Sequence, residues 1–509
     1  MIKKKRGLVI TILLTCIVVG IGVVIVSGNN MFSNKKAEPA EVWLTKGDES
    51  TLLERQEDLA WGKGLSKGDN DYTEILVDDK KQYQEFYGYG AAVSHSSAYN
   101  IVNSPERNEI LESLFSIENG IGLSVVRVPM GSSDFVGPVF GERKHYTYND
   151  LEDPYDTDNE LSNFSIEPDK EFIIPVLKQI KEINPNVKIV SVPWSAPAWM
   201  KTTHSLLGGA YLTEFNNVYA NYFVKYIKAY ETEGLTIDYV SVQNEPHFMH
   251  GDYPTMYMEH FEQADFVGNY LGPAFEANGI ETKIMGWDHN FTDNNTRAEE
   301  DIANYGTVLL EDEYASNYIS GIAFHGYEAD GIKDFGKAFD KISEQFPNAE
   351  LYMTEITGGG WATNFKDNLL WNMENIILGT PLHNSSMVLL WNLALDEQSG
   401  PHLGGCGNCR GVYTVDNDES IVRKEVEYYA LGQVSKFVHP TIEGNPIRID
   451  AKNDNTQLDV VAFMNPDQSI VVTIANKNSD NDQNISIRWR ENIGEYKVPP
   501  ASVVTLKWK

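Results

Sequence analysis

Two glutamates stand where alternating apolar runs end: Glu245 in "YVSVQNEPHF" and Glu355 in "ELYMTEITGGG". Val240 and Val242 alternate with Ser241 and Gln243, the period of a strand. Pro246 has no N–H for a sheet ladder, which sets the end of that strand at about Glu245. Glu355 likewise closes an apolar run, just before three glycines. One carboxyl that protonates a departing oxygen and one carboxylate that attacks the anomeric carbon are what glycosidic hydrolysis needs, with retention of configuration at a separation of about 5 Å. The two coexist in different protonation states when their surroundings push their pKa values apart. The competing reading is a pair of structural glutamates, and burying unpaired carboxylates is costly.

For both side chains to meet, their strands must run parallel and exit on one face. Eight strand candidates recur between residues 86 and 435: "YGYGAAV", "LSVVRVPMG", "KIVSVPW", "DYVSVQN", "TKIMGWDHN", "SGIAFHGY", "ELYMTEI" and "MVLLWNL". Helical patterns lie between them; Val218, Tyr222, Phe223, Tyr226 and Ile227 follow the i, i+3, i+4 rule. Strand–helix alternation on this scale predicts an α/β fold, a (β/α)₈ TIM barrel with its functional side chains at the strand C-termini. Aromatics at other strand ends, Trp194, Trp199, Trp287, Tyr327 and Trp391, are expected to face the same mouth, with Asp134 and Asn392 as polar partners for sugar hydroxyls. After Pro440 the runs "LDVVAFMN", "SIVVTIANK", "NISIRWR" and "SVVTLKW" alternate strictly. They predict a small antiparallel β-sandwich over 436–509, to which strands from 37–85 contribute.

The N-terminus reads as a targeting segment. "MIKKKRG" precedes Leu8–Gly28, which carries no charge and is long enough to span a bilayer with its start held inside. Residues 1–36 are thus a signal anchor or, alternatively, a cleaved signal peptide, and either exports the body to the outer face of the membrane or the medium. Those 36 residues hold six of the 41 basic residues and no acid, leaving 35 basic against 73 acidic residues, a net of −38. Such a body repels nucleic acid and anionic lipid. Cys406 and Cys409 in "GGCGNCRG" form a small loop disulfide in an exported chain, or stay free thiols. Two thiols do not complete a tetrahedral zinc site. His247 and His250 share a loop with no further ligands, so neither metal nor cofactor is expected.

The ordered segments "YGYGAA", "VVRVPMGSSDF", "VPWSAPAWMK", "VQNEPHF", "SGIAFHGY", "TEITGG" and "WNLALDEQSGP" resemble glycoside hydrolase family 30, the family that includes glucosylceramidases. The likeness runs from about Val42 to the closing "PPASVVTLKW". It implies that Glu245 is the acid/base and Glu355 the nucleophile. Asn244 then meets the sugar 2-hydroxyl, Arg127 and Tyr327 attend the nucleophile, and Asp134, Trp194 and Trp391 hold the sugar. His95 stands where many members carry Asp, and Gly326 where glucosylceramidases carry the Trp of an "HWY"; both bear on glycone or aglycone preference. The resemblance implies a retaining β-glucosidase of glucosylceramidase type acting on a carbohydrate or glycolipid. An endo-β-1,6-glucanase is the alternative within the same chemistry, and a carbohydrate-binding barrel without catalysis the alternative outside it.

Overall fold

The computed structural model describes residues 38–62, 72–291, 305–327 and 329–509. The expected signal anchor Leu8–Gly28 lies outside these described residues. Among the described residues no helix is long and apolar enough to cross a membrane.

Eight strands close into a parallel barrel: β1 (Gly88–Ala92), β2 (Val125–Pro129), β3 (Lys188–Val192), β4 (Tyr239–Ser241), β5 (Lys283–Asn290), β6 (Ile319–His325), β7 (Glu350–Glu355) and β8 (Ser385–Leu390). Six lie within runs read from the sequence; β6 starts one residue and β8 two residues before theirs. On β2, Val126 and Val128 pack outward on the helices while Val125 points into the barrel. Burial on both faces explains the nearly unbroken apolar run. The lower interior is filled by Tyr87, Val190, Tyr239, Met285, Tyr352 and Leu389 around Val125. Two residues further along β2 the inward position is Arg127, fully buried. There the interior turns from apolar to charged.

Strand β4 stops at Ser241, short of the end at about Glu245 that the proline suggested. The neighbouring β3 ends at Val192, so β4 loses its ladder partner early. Asn244 and Glu245 are instead fixed one amide at a time, donating to the carbonyls of Pro193 (2.9 Å) and Asp288 (3.0 Å). On the outer layer the helix Asn216–Thr232 buries Tyr219, Tyr222, Phe223, Tyr226, Ile227 and Tyr230. Tyr226 shares a 2.6 Å hydrogen bond with Ser191 of β3. This is the amphipathic stripe that the spacing predicts.

The remaining strands build a nine-stranded sheet wrapped around its own core of Trp61, Ile75, Ile474, Ile485 and Leu506. The N-terminal strand Glu41–Lys46 pairs antiparallel with the C-terminal Ser502–Trp508, so both chain ends contribute, as expected. One pairing departs from the antiparallel expectation: Thr73–Glu85 runs parallel to Gln483–Trp489. A hairpin forces antiparallel pairing, but these strands are separated by the whole barrel, a crossover long enough for either direction. Gln433 of the helix Val426–Ser435 ties the two bodies, donating to Thr45 Oγ1 (2.6 Å) and accepting from Thr505 Oγ1 (2.8 Å).

Candidate active site

A cavity of about 440 Å³ opens at the C-terminal end of the barrel. Seven of the eight residues to which the family resemblance gives roles line it: Asp134, Trp194, Asn244, Glu245, Tyr327, Glu355 and Trp391. The eighth, Arg127, lies among them from below and organises the floor. Its Nη1 donates to Glu355 Oε2, and its Nη2 donates to Asn244 Oδ1 at 2.7 Å and Asp288 Oδ2 at 3.1 Å. The guanidinium also packs on Trp194 and Trp391, 5.0 and 5.7 Å from the ring centres, and these two indoles stack on each other. A planar, always-charged donor fork suits this task; lysine would not.

Each glutamate has its own escort. The Tyr327 hydroxyl donates to Glu355 Oε1 at 3.1 Å, so both oxygens of that carboxylate are held. Glu245 sits in the left-handed backbone region (φ 49°), an uncommon conformation for a non-glycine residue that surrounding structure must impose. Its Oε1 lies 3.0 Å from His325 Nδ1 and 3.7 Å from His289 Nδ1. His325 Nε2 faces Asp288 Oδ1 at 3.1 Å, and Thr354 Oγ1 donates to that same oxygen at 2.6 Å. His325 Nδ1 is also 3.9 Å from Glu355 Oε1, so the two glutamate Oε1 atoms lie within about 7 Å of each other, a span that admits the retaining spacing.

The electrostatics follow from this cage. Burial lowers the His325 pKa, but Glu355, Asp288 and Glu245 outweigh it and raise the imidazole to about 9. Burial also pushes Asp288 up, yet Arg127 and His325 hold it well below the usual carboxylate range. Glu355 is raised by burial, with the Glu245 charge adding to the rise and His325 and Arg127 opposing it. Glu245 is drawn down in spite of burial, by His289, His325 and Arg127. The two carboxyls therefore titrate as one system with His325. Asp134 is raised to about 8 by burial and the Glu355 charge, against the Cys406 amide that donates to it. Its Oδ1 is buried without a hydrogen-bond partner, and the side chain borders the cavity.

Asp288, His289 and His325 were not among the residues picked from the sequence. The rule that found Glu245 and Glu355 reaches them too, since "WDHN" closes β5 and His325 closes β6. Trp287 was expected at the mouth instead. A register shift between Trp287 and His289 turns it outward, where it packs on Tyr305 at 4.5 Å and leaves Asp288 to point inward. Trp199 is also absent from the cavity lining; its Nε1 donates to the Asn149 carbonyl at 3.1 Å and its ring abuts Phe215. Asn392 is fully buried and His95 nearly so, and neither lines the cavity. His95 Nδ1 accepts the Gly137 N–H at 3.1 Å, and burial lowers its pKa to about 4. Glu245, His289 and His325 bring ligand-type atoms within 4.8 Å of one another, the one such trio with metal-like spacing among the described residues. Cys406 and Cys409 form a disulfide that lines the rim, and the short strand Cys409–Arg410 pairs with Gly358–Gly359 just beyond Glu355.

Family models described as the glycosyl hydrolase family 30 TIM-barrel domain and beta sandwich domain match residues 86–438 and 447–506. The chain is 32% identical to the endo-1,6-beta-D-glucanase BGN16.3 of Trichoderma harzianum over 81% of each chain. It is 30% identical to the lysosomal acid glucosylceramidase of Mus musculus over 85% of this chain and 82% of the relative. Among solved structures, the endo-beta1,6-glucanase BT3312 superimposes with a TM-score of 0.81 at 30% identity, covering 92% of this chain and all of the other.

Proposed function

Because this chain belongs to glycosyl hydrolase family 30, we propose that it is an exported, retaining endo-β-1,6-glucanase in which Glu355 is the nucleophile and Glu245 the acid/base. Glycosidase chemistry follows from the family; the linkage and the residue roles are our reading. The observation that carries the linkage is that relatives named as endo-β-1,6-glucanases match in both sequence and solved structure. This places second the glucosylceramidase type that the sequence segments first suggested, although glucosylceramidases cover a similar span of the chain.

The first step needs Glu355 ionised and Glu245 protonated. That is the reverse of the site's own bias, in which burial raises Glu355 and His289, His325 and Arg127 lower Glu245 in spite of burial. Arg127 and Tyr327 both donate to Glu355, favouring the anion. His325 supplies the proton for Glu245 across 3.0 Å, and after losing it from Nδ1 the imidazole keeps its Nε2–H on Asp288. Glu355 then attacks the anomeric carbon as the glycosidic oxygen takes the Glu245 proton and departs. The resulting carboxylate of Glu245 removes a proton from water, which displaces Glu355 by attack from the face that the leaving group vacated, opposite Glu355. Asn244, oriented by Arg127, meets the 2-hydroxyl, and Trp194 and Trp391 wall the pyranose. Asp134, largely protonated below pH 8, borders the same site with a carboxyl suited to a sugar hydroxyl.

The test is a hydrolysis panel of linear β-1,6-glucan, β-1,3-glucan, glucosylceramide in detergent micelles and aryl β-glucosides. The highest kcat/KM on β-1,6-glucan, with oligosaccharides released early, is expected. Faster turnover of glucosylceramide with glucose as the sole sugar product would return the reading to the glucosylceramidase type.

A further inference from the structure

The pocket that holds the two glutamates does not end at Tyr327. A second cavity, of about 750 Å³, adjoins it and shares three lining residues with it, Tyr327, Thr357 and Trp361. It runs between the β6 exit and the segment after β7, out to Trp371 on the helix Phe365–Asn372. Trp361 and Trp371 are among the most exposed tryptophans of the described residues, at 58% and 42%. Large aromatics left in water along a concave surface mark ligand sites more often than chance exposure does.

Three local features shape this path and give it sugar-like chemistry. Gly326 lines its inner end, packed so closely that a side chain there would press on Met353 and Ile356, and its N–H is anchored to the Glu355 carbonyl at 2.8 Å. The Trp361 ring lies against Gly359, where any side chain would displace it, while most of the residue is left to solvent. Between the two indoles the wall carries Thr363 and Asp367, whose oxygens suit sugar hydroxyls. Rings for C–H faces alternating with oxygens for hydroxyls is what a carbohydrate surface needs; an acyl chain gains nothing from the oxygens.

The direction of the groove decides which part of a substrate enters it. The walls for the attacked sugar, Asp134, Trp194 and Trp391, pack together around β1, β2, β3 and β8, closed by Phe135 and the disulfide rim. The groove leaves on the opposite side, past β6 and β7. We propose that this groove binds the β-1,6-linked glucosyl units on the leaving-group side of the scissile bond, with Trp361 and Trp371 as successive stacking platforms. The inference rests on the β-1,6-glucanase reading and adds where the chain lies.

The experiment compares wild type with Trp371→Ala and Trp371→Phe on an aryl β-glucoside, β-1,6-glucooligosaccharides of two to seven units and glucosylceramide in micelles. Thermal midpoints of the exposed-site variants serve as the folding control. In wild type, kcat/KM should climb with oligosaccharide length. In Trp371→Ala the ratio of kcat/KM for the heptamer to that for the aryl glucoside should fall about tenfold, and Trp371→Phe should restore most of it. A wild-type rise with length that Trp371→Ala leaves intact overturns the groove while sparing the substrate reading. A wild type indifferent to β-1,6 chain length overturns the substrate reading. Selective loss of glucosylceramide turnover in Trp371→Ala overturns the assignment of a sugar occupant.

Discussion

At the scale of single residues, the site turns on how one proton is divided between Glu245 and His325. His325 carries a raised pKa of about 9, caused by carboxylates that outweigh its burial. A raised imidazole pKa means that the pair holds its proton up to that pH and loses it above. The alkaline limb of kcat/KM should therefore reflect the pair rather than a lone glutamate. In His325→Gln the reservoir is gone and the Glu245 carboxyl titrates alone. The limb should then move toward acid by about one pH unit or more, with KM for an aryl glucoside changed little. A pH–rate profile over pH 4–10 checks this, and an unmoved limb in the variant removes His325 from the proton path. The same raised pKa contributes stability that is present below about 6.5 and lost as pH rises toward 9. Glu245 and Glu355 were legible in the sequence because each closes a run of clear period. Asp288 and His325 were less so, since the chemistry of Asp288 depends on Arg127 from another strand, a contact that no local pattern announces.

At the scale of elements, alternation revealed the eight strands because parallel barrel strands are buried on both sides and bounded by turns. It failed where the strands are irregular. The register shift in β5 reverses which of Trp287 and Asp288 faces inward, and period-two reasoning has no means of foreseeing a bulge. The early end of β4 has the same kind of origin, a neighbour strand that stops. The rim loop was legible as a disulfide from its cysteines, but its purpose was not. Gly405 packs directly on the Asp134 carboxylate, the Cys406 amide donates to it, and the Leu403 N–H donates to the Asp134 carbonyl at 2.8 Å. The bridge closes so short a loop that it contributes only about 2 kcal/mol in the chain-entropy picture. Cys406→Ser/Cys409→Ser should therefore fold, with a midpoint only a few degrees lower. Its KM for β-1,6-glucooligosaccharides should rise severalfold while kcat holds, because Asp134 is left less well placed. Steady-state kinetics separate the two constants. A fall in kcat at constant KM would show that the loop serves the chemistry rather than sugar binding.

At the scale of the whole molecule, a barrel and a β-sandwich share strands from both chain ends, so neither body is a simple segment of the sequence. The sandwich supports the barrel through Gln433, which bonds strands from both chain ends. The net charge of −38 outside the first 36 residues favours neutral sugars over polyuronides, in keeping with a glucan. The groove beyond Tyr327 escaped sequence reading because surface tryptophans carry no periodicity, and only the closed barrel brings Gly326 beside Trp361. The most direct test of the two-glutamate double displacement is proton NMR of the first new reducing end released from β-1,6-glucan, read before mutarotation mixes the anomers. Glu245 and Glu355 acting on opposite faces of the sugar, as acid/base and nucleophile, predict the β-anomer as the first product. The α-anomer appearing first would contradict it.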